Sequence, residues 1–307
     1  MRNISRKAFS LVELIFVIVV LGIVASISAD TIVQVYKNTV PQKALTIATI
    51  KSELAAEQIA NRLSYAIPWS MVAKQRNNTT PVQLVDYAVG GPQDTIEWVG
   101  MDGDSFEATT TPGWSGYCDI NDPAASQTNC PTPGSILGNT NAIIGNLGGV
   151  GISDAIVFFK TDECLNGVQY RFDRIGMDTQ NYNTNCAFGL NGSAGTNLTM
   201  PAGTKIVADM YGVAWSAYAL VPTVWRDING DNIADVFDLE LRYNYQPWLG
   251  ENFNTFPLQN QVIATNVSVF RFSQSDNIVR FKICIKQPIG GERTDFVTAC
   301  KEKVVIR

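Results

Sequence analysis

The 307-residue chain contains no histidine. That excludes the Ser-His-Asp and Cys-His catalytic arrangements, His-ligated zinc and ordinary haem attachment. An enzyme is therefore not expected, and an exported carboxylate-pair enzyme is the weakest of the function classes. Charge is scarce as well: 17% of residues are Asp, Glu, Lys or Arg, with a net charge of −5. No basic stripe is present, so phosphate-backbone binding has no footprint and no nucleic-acid partner is indicated. The six cysteines form no Cys-x-x-Cys pair, which argues against a zinc or thiol-redox motif.

What the chain does have lies first at its start. From Phe9 to Ala29 the only formal charge is Glu13, and the rest is apolar or small. About 21 residues make roughly 30 Å of helix, enough to cross a bilayer's hydrocarbon. The run is too long for the apolar core of a cleaved secretory signal, and no clear small-x-small site follows it. A plain anchor fits the length but not Glu13. A carboxylate inside an apolar helix costs roughly 2.5–3.5 kcal/mol and points to a function and a partner. Arg2, Arg6 and Lys7 precede the run, placing the N-terminus in the cytoplasm and the bulk of the chain on the exported side.

Lys7-Ala8-Phe9-Ser10-Leu11-Val12-Glu13 resembles the processing site of type IV prepilins and type II secretion pseudopilins. The resemblance implies cleavage between Ala8 and Phe9 by a prepilin peptidase and N-methylation of Phe9. It also implies pairing of Glu13 with the Phe9 ammonium of a neighbouring subunit during assembly. Such a partner relieves the cost of a buried carboxylate. Ala8 stands where the family usually has Gly. Asp30 stands about where it often has Pro, so Pro41 is the expected site of a helix kink.

From Asp30 to about Tyr65 apolar residues recur at three- and four-residue steps: Val40, Ala44, Ile47, Ile50, Leu54, Ala55, Ile59 and Leu63. This reads as an amphipathic helix packed on a sheet and ended by Ile67-Pro68. Gly113–Gly149 reads as mostly loop. Strand-like runs are expected at 82–89, 95–99, 155–160, 168–172, 205–210, 213–221, 236–243, 263–272, 278–285 and 296–306. The expected organisation is leader 1–8, transmembrane helix 9–29, amphipathic helix 30–66 and a β-rich exported head 67–307. The fold class is α+β: a long N-terminal helix packed on an antiparallel, pilin-like head with disulfides and a calcium loop.

Cys118, Cys130, Cys164, Cys186, Cys284 and Cys300 all follow the apolar run, so an exported disulfide framework is expected. Several connectivities are open. The local one, Cys118–Cys130, Cys164–Cys186 and Cys284–Cys300, closes three short loops, each worth about 3 kcal/mol in the chain-entropy model.

The calcium expectation rests on Asp227, Asn229, Asp231, Asp235 and Asp238, at the first, third, fifth, ninth and twelfth positions of one stretch. That is the ligand spacing of an EF-hand-type loop, with the carbonyl of Ile233 at the seventh. The segment departs from that pattern with Asn232 at the sixth position, a short Asp238 at the twelfth, and strand-like flanks. A structural Ca²⁺ is the expected cofactor.

These features together suggest a structural subunit, a minor pilin, with other pilin-like subunits, the prepilin peptidase and the inner membrane as partners. It is single-pass before assembly and filamentous afterwards. A type II secretion pseudopilin is the alternative. A second alternative is a tip adhesin, with Trp114, Trp215, Trp225, Trp248 and Tyr245 as candidate ligand contacts.

Overall fold

The computed structural model describes residues 10–108, 110–178, 185–254, 259–290 and 295–306. One α-helix, α1 (Leu11–Leu63), runs through both the expected membrane segment and the amphipathic segment. Ser10 caps it, its Oγ accepting from the Glu13 N–H at 3.2 Å. The helix continues through Pro41, which removes one backbone hydrogen bond without ending the element. It stops at Leu63 with Ser64 as its C-cap, three residues short of the expected end.

Thirteen strands follow among the described residues: β1 (Val72–Gln75), β2 (Asn78–Gln83), β3 (Thr95–Met101), β4 (Asn129–Pro131), β5 (Ile156–Phe159), β6 (Phe188–Gly189), β7 (Gly192–Ala194), β8 (Asn197–Thr199), β9 (Tyr211–Arg226), β10 (Val236–Tyr245), β11 (Gln259–Ser275), β12 (Ile278–Pro288) and β13 (Phe296–Ile306). Ten form one antiparallel sheet in the order β13-β12-β11-β10-β9-β3-β1-β2, with β5 and β6 joined beside β9. The last five strands are a meander, each pairing antiparallel with the next, so no crossover is needed to connect them. A two-residue turn, Asp276-Asn277, joins β11 to β12, with Asp276 in the left-handed region at φ 52°. A small sheet, β4-β8-β7, stands apart.

The C-terminal half of α1 lies across β11, β12 and β13. Its sheet-facing residues are mostly small: Ala44, Ala48, Ser52, Ala55 and Ala56, then Ile59 and Leu63. Small side chains let the helix axis approach the sheet, and β-strand residues such as Phe270, Phe281 and Ile283 fill the layer from the other side. Ile50 and Leu54 were expected on this face. Both are instead more than half exposed, and the apolar stretch 10–39 before them is exposed throughout. A second core lies on the opposite face of the sheet around Tyr245, Trp248, Phe253 and Met177. A third surrounds Cys118 and Cys130.

Three expected strands do not form as expected. Of 82–89 only Val82 and Gln83 are strand, at the end of β2, and a 3₁₀ turn at Leu84–Asp86 follows. Residues 168–172 are irregular, between short 3₁₀ turns, and the free side of β5 is already taken by β6. Residues 205–210 form no ladder; their end makes isolated long-range contacts, a single bridge between Met210 and Tyr117 and the Cys118 N–H to the Asp209 carbonyl at 2.7 Å. Conversely, the expected loop 113–149 contains a helix, Leu137–Asn146, which buries Leu137, Thr140 and Ile144. Its Gly and Asn content hid a period of three and four behind weak helix formers.

Candidate functional site

Ala8 and Phe9, the expected cleavage and methylation positions, lie outside the described residues. Glu13 sits in the first turn of α1, where a carboxylate also complements the helix dipole. It is exposed, and every residue from Ser10 to Thr39 is exposed with it. The sequence pattern and the packing agree: between Ser10 and Ala29 Glu13 is the one carboxylate, Asp30 follows that run, and among the described residues this part of the helix has no packing partner. It is long and apolar enough to cross a membrane.

Beyond residue 44 the helix is fixed to the head by its inner face and by ion pairs. Lys301 and Lys303 of β13 both approach Glu53, and Lys303 also bonds Glu57. The lysine contacts, that of Lys301 foremost, hold the Glu53 carboxyl below its ordinary value, while Glu57 and Glu53 raise Lys303. These groups are solvent-exposed, so salt screens them.

All six cysteines are paired in the local pattern: Cys118–Cys130, Cys164–Cys186 and Cys284–Cys300. Cys284 and Cys300 are direct cross-strand partners on β12 and β13, so this bridge ties the edge strand to the sheet.

The stretch 227–235 is the tip of the β9–β10 hairpin, so its flanks are strands as expected. Asp227 accepts from the Gly230 N–H (2.6 Å), the Asn232 N–H (2.7 Å) and the Asn229 N–H (3.1 Å). Those backbone donors, Gly230 first, hold its carboxyl below the ordinary range. Asp231 accepts from the Ile233 N–H at 2.8 Å and from the Asn229 amide at 3.0 Å. Gly230 and Asn232 take the positive φ angles the turn requires, 86° and 64°.

The last two side chains of the expected ligand set go elsewhere. Asp235 pairs with Lys286 at 3.2 Å. Asp238, buried on β10, takes both amino groups of Arg226, and the pair raises the arginine's pKa. The β9–β10 register carries Arg226 alongside Asp238, so that carboxylate is neutralised within the hairpin. Among the described residues no group of three or more His, Cys, Asp or Glu side chains is placed to hold a metal ion.

Of the aromatic residues proposed as ligand contacts, Trp114, Trp215, Trp248 and Tyr245 are core residues, none more than 6% exposed. Only Trp225 is at the surface, beneath the Arg76 guanidinium. Tyr245 belongs to a constellation that spacing alone does not reveal. Its hydroxyl donates to Glu97 at 2.9 Å, Glu97 pairs with Lys74 at 2.5 Å, and Lys74 donates to the Met177 carbonyl at 2.6 Å. All three side chains are essentially inaccessible to solvent. Burial first, then the Glu97 charge, pushes the Tyr245 hydroxyl well above its ordinary pKa, so it remains a neutral donor. This is a buried structural network.

A long exposed apolar helix with Glu13 near its start, continuous with a disulfide-bridged antiparallel head, fits a type IV prepilin-like protein. Residues 4–29 match the family model of the prokaryotic N-terminal methylation motif. No curated protein and no solved structure matches the chain.

Proposed function

We propose that this chain is a minor pilin of a type IV pilus-like filament. It is cleaved before Phe9 by a prepilin peptidase, N-methylated there, and held in the inner membrane by residues 9–29 until assembly. The head is exported and has a structural, not a catalytic, role. The observation that carries the reading is the helix surface. Residues 10–39 are exposed throughout, and farther along Leu45, Ile50 and Leu54 still face outward while the small residues Ala44, Ala48, Ser52, Ala55 and Ala56 face the sheet. A helix with that much uncovered apolar area requires lipid or neighbouring copies around it. Glu13 then takes the neighbour's Phe9 ammonium as its partner. The size of the head favours a low-abundance subunit. The type II secretion pseudopilin reading uses the same assembly chemistry, and the companion subunits in isolated filaments distinguish the two.

The test is Glu13→Ala. Membrane insertion is expected to persist, because removing a charge from an apolar helix favours insertion. Incorporation into filaments is expected to fall by about tenfold or more, the effect of losing a charge pair worth a few kcal/mol. Normal incorporation of the variant would refute the pairing.

Calcium binding belongs to the same proposal in narrower form. Asp227, Asn229, Asp231 and the Ile233 carbonyl are the candidate ligands, with water completing the shell. Supporting it, alternate oxygen-bearing side chains converge on one exposed turn. Asp235 and Asp238 join only by releasing Lys286 and Arg226, so the role is to stiffen the hairpin tip.

A further inference from the structure

Because α1 ends at Leu63 and packs chiefly on β11–β13, the neighbouring face of β3, β9 and β10 meets only its last turns. A groove of about 660 Å³ opens there, between the last turns of α1 and the sheet. This is within the size range of small-molecule sites, about 300–1,000 Å³.

Its floor carries the half-buried Tyr218, backed by the fully buried Trp98; Tyr243 stacks on Tyr218 but does not line the groove. Trp98, Tyr218 and Tyr243 are successive cross-strand partners on β3, β9 and β10. Their ring centroids are 5.9 and 6.5 Å apart, with planes only 19° and 20° from parallel. Two glycines keep the tyrosines in place. A Cβ at Gly100 would stand 2.6 Å from the Tyr218 ring, and one at Gly103 would stand 2.4 Å from Tyr65. Glycine in the middle of a strand is costly, and here the missing side chain is the space a ring occupies.

The rim is polar and close to balanced in charge. The exposed Arg62 guanidinium stands 5.8 Å from the Tyr218 centroid and makes no ion pair among the described residues. Asn61 and Gln261 add exposed amides, and Glu107 accepts from the Tyr65 hydroxyl at 3.1 Å. At the floor, the buried Trp98 indole N–H has no hydrogen-bond partner among the described residues. A native protein seldom leaves such a donor unmet.

We infer that this groove binds a short neutral saccharide. A pyranose presents a flat face of polarised C–H groups, which suits the negative face of an aromatic ring. Its edge carries hydroxyls, which the amides, the guanidinium and the carboxylate accommodate as donors and acceptors. Other ligand classes fit worse. A purely apolar ligand would desolvate the rim without compensation. An anion would meet Glu107 and Asp104. An added peptide strand needs a free sheet edge, and β3, β9 and β10 are paired on both sides here. The inference does not depend on which filament the chain joins.

The experiment uses the full chain in a zwitterionic, sugar-free detergent. It is probed on an array with one arm of neutral hexose oligomers, one of N-acetylated cell-wall fragments and one of acidic glycans. Hits are then titrated by tryptophan fluorescence. Binding in either of the first two arms is expected, and which arm responds identifies the source of the sugar. Asn61→Ala with Arg62→Ala, both exposed positions, is expected to weaken binding about tenfold at an unchanged melting temperature. Tyr218→Ala is expected to abolish it. No binding at millimolar saccharide, binding confined to acidic glycans, or full affinity in the Asn61/Arg62 variant would overturn the inference.

Discussion

Replacing Lys74 with Met tests how the head tolerates charge in its interior. Lys74 and Glu97 are each about 1% exposed, and Tyr245 is fully buried. Removing the ammonium leaves the Glu97 carboxylate with Tyr245 as its main remaining donor and leaves the Met177 carbonyl without Lys74. Breaking a buried pair on one side costs about 3–5 kcal/mol, because the surviving charge is desolvated and uncompensated. At about 2–4 °C per kcal/mol for a domain of this size, the melting temperature is expected to fall by about 6–20 °C. The triple variant Lys74→Met, Glu97→Leu, Tyr245→Phe removes the charges and the orphaned hydroxyl together. It is expected to recover most of the loss, since apolar groups of similar volume replace buried pairs at little net cost. The assay is near-ultraviolet circular dichroism on heating, which follows the packed aromatic core. A single variant that melts like wild type would show that the charges are not buried as a pair. A triple variant as unstable as the single one would assign the loss to shape rather than to charge.

Replacing both Cys284 and Cys300 with Ala is expected to cost about 3 kcal/mol. Because it frees the edge strand, hydrogen exchange is expected to speed up first in β13, and uniform exchange across the sheet would contradict this. The clamp between α1 and β13 should be sensitive to acid and salt. The folded-state pKa of Glu53 is depressed, so its contribution is present above the unfolded value and is lost as pH falls through the folded one. Lys303 is raised, so its contribution is present at neutral pH and is lost only as pH rises through its folded value. Protection factors of the β13 amides, taken relative to the intrinsic exchange rate at each pH, should therefore fall in mild acid and in high salt; unchanged protection under both would remove the clamp's role. Calcium at a hundred times its dissociation constant is expected to add about 2.7 kcal/mol, and chelation to remove it. Identical melting curves with and without calcium would exclude a stabilising site at Asp227–Asp231.

Much of the molecule follows from local chemistry, and that part was legible in the sequence. Glu13 within an apolar run needs no tertiary information to be recognised as anomalous, because its cost comes from the run itself. The cysteine pairs were legible because each closes a short loop, and β13 was placed residue for residue by its alternation and turns. The groups whose meaning depends on a distant partner were not legible. Asp238 has the spacing of a calcium ligand, but the β9–β10 register brings Arg226 to it. Trp114, Trp215 and Trp248 have the composition of a binding surface and are packed inside. Lys74 and Glu97 look like ordinary strand residues until β1 and β3 align beneath Tyr245.

The sequence by itself determined the N-terminal apolar helix and the disulfide framework, since hydrophobicity, charge order and cysteine spacing act along the chain. Only the tertiary structure decided which face of α1 is covered and which is left for others. Small residues at 44, 48, 52, 55 and 56 let the helix lie close over β11–β13. The same choice of position leaves Trp98 and Tyr218 beside it with only the last turns of the helix as cover, because a helix ending at Leu63 cannot span a sheet of ten strands.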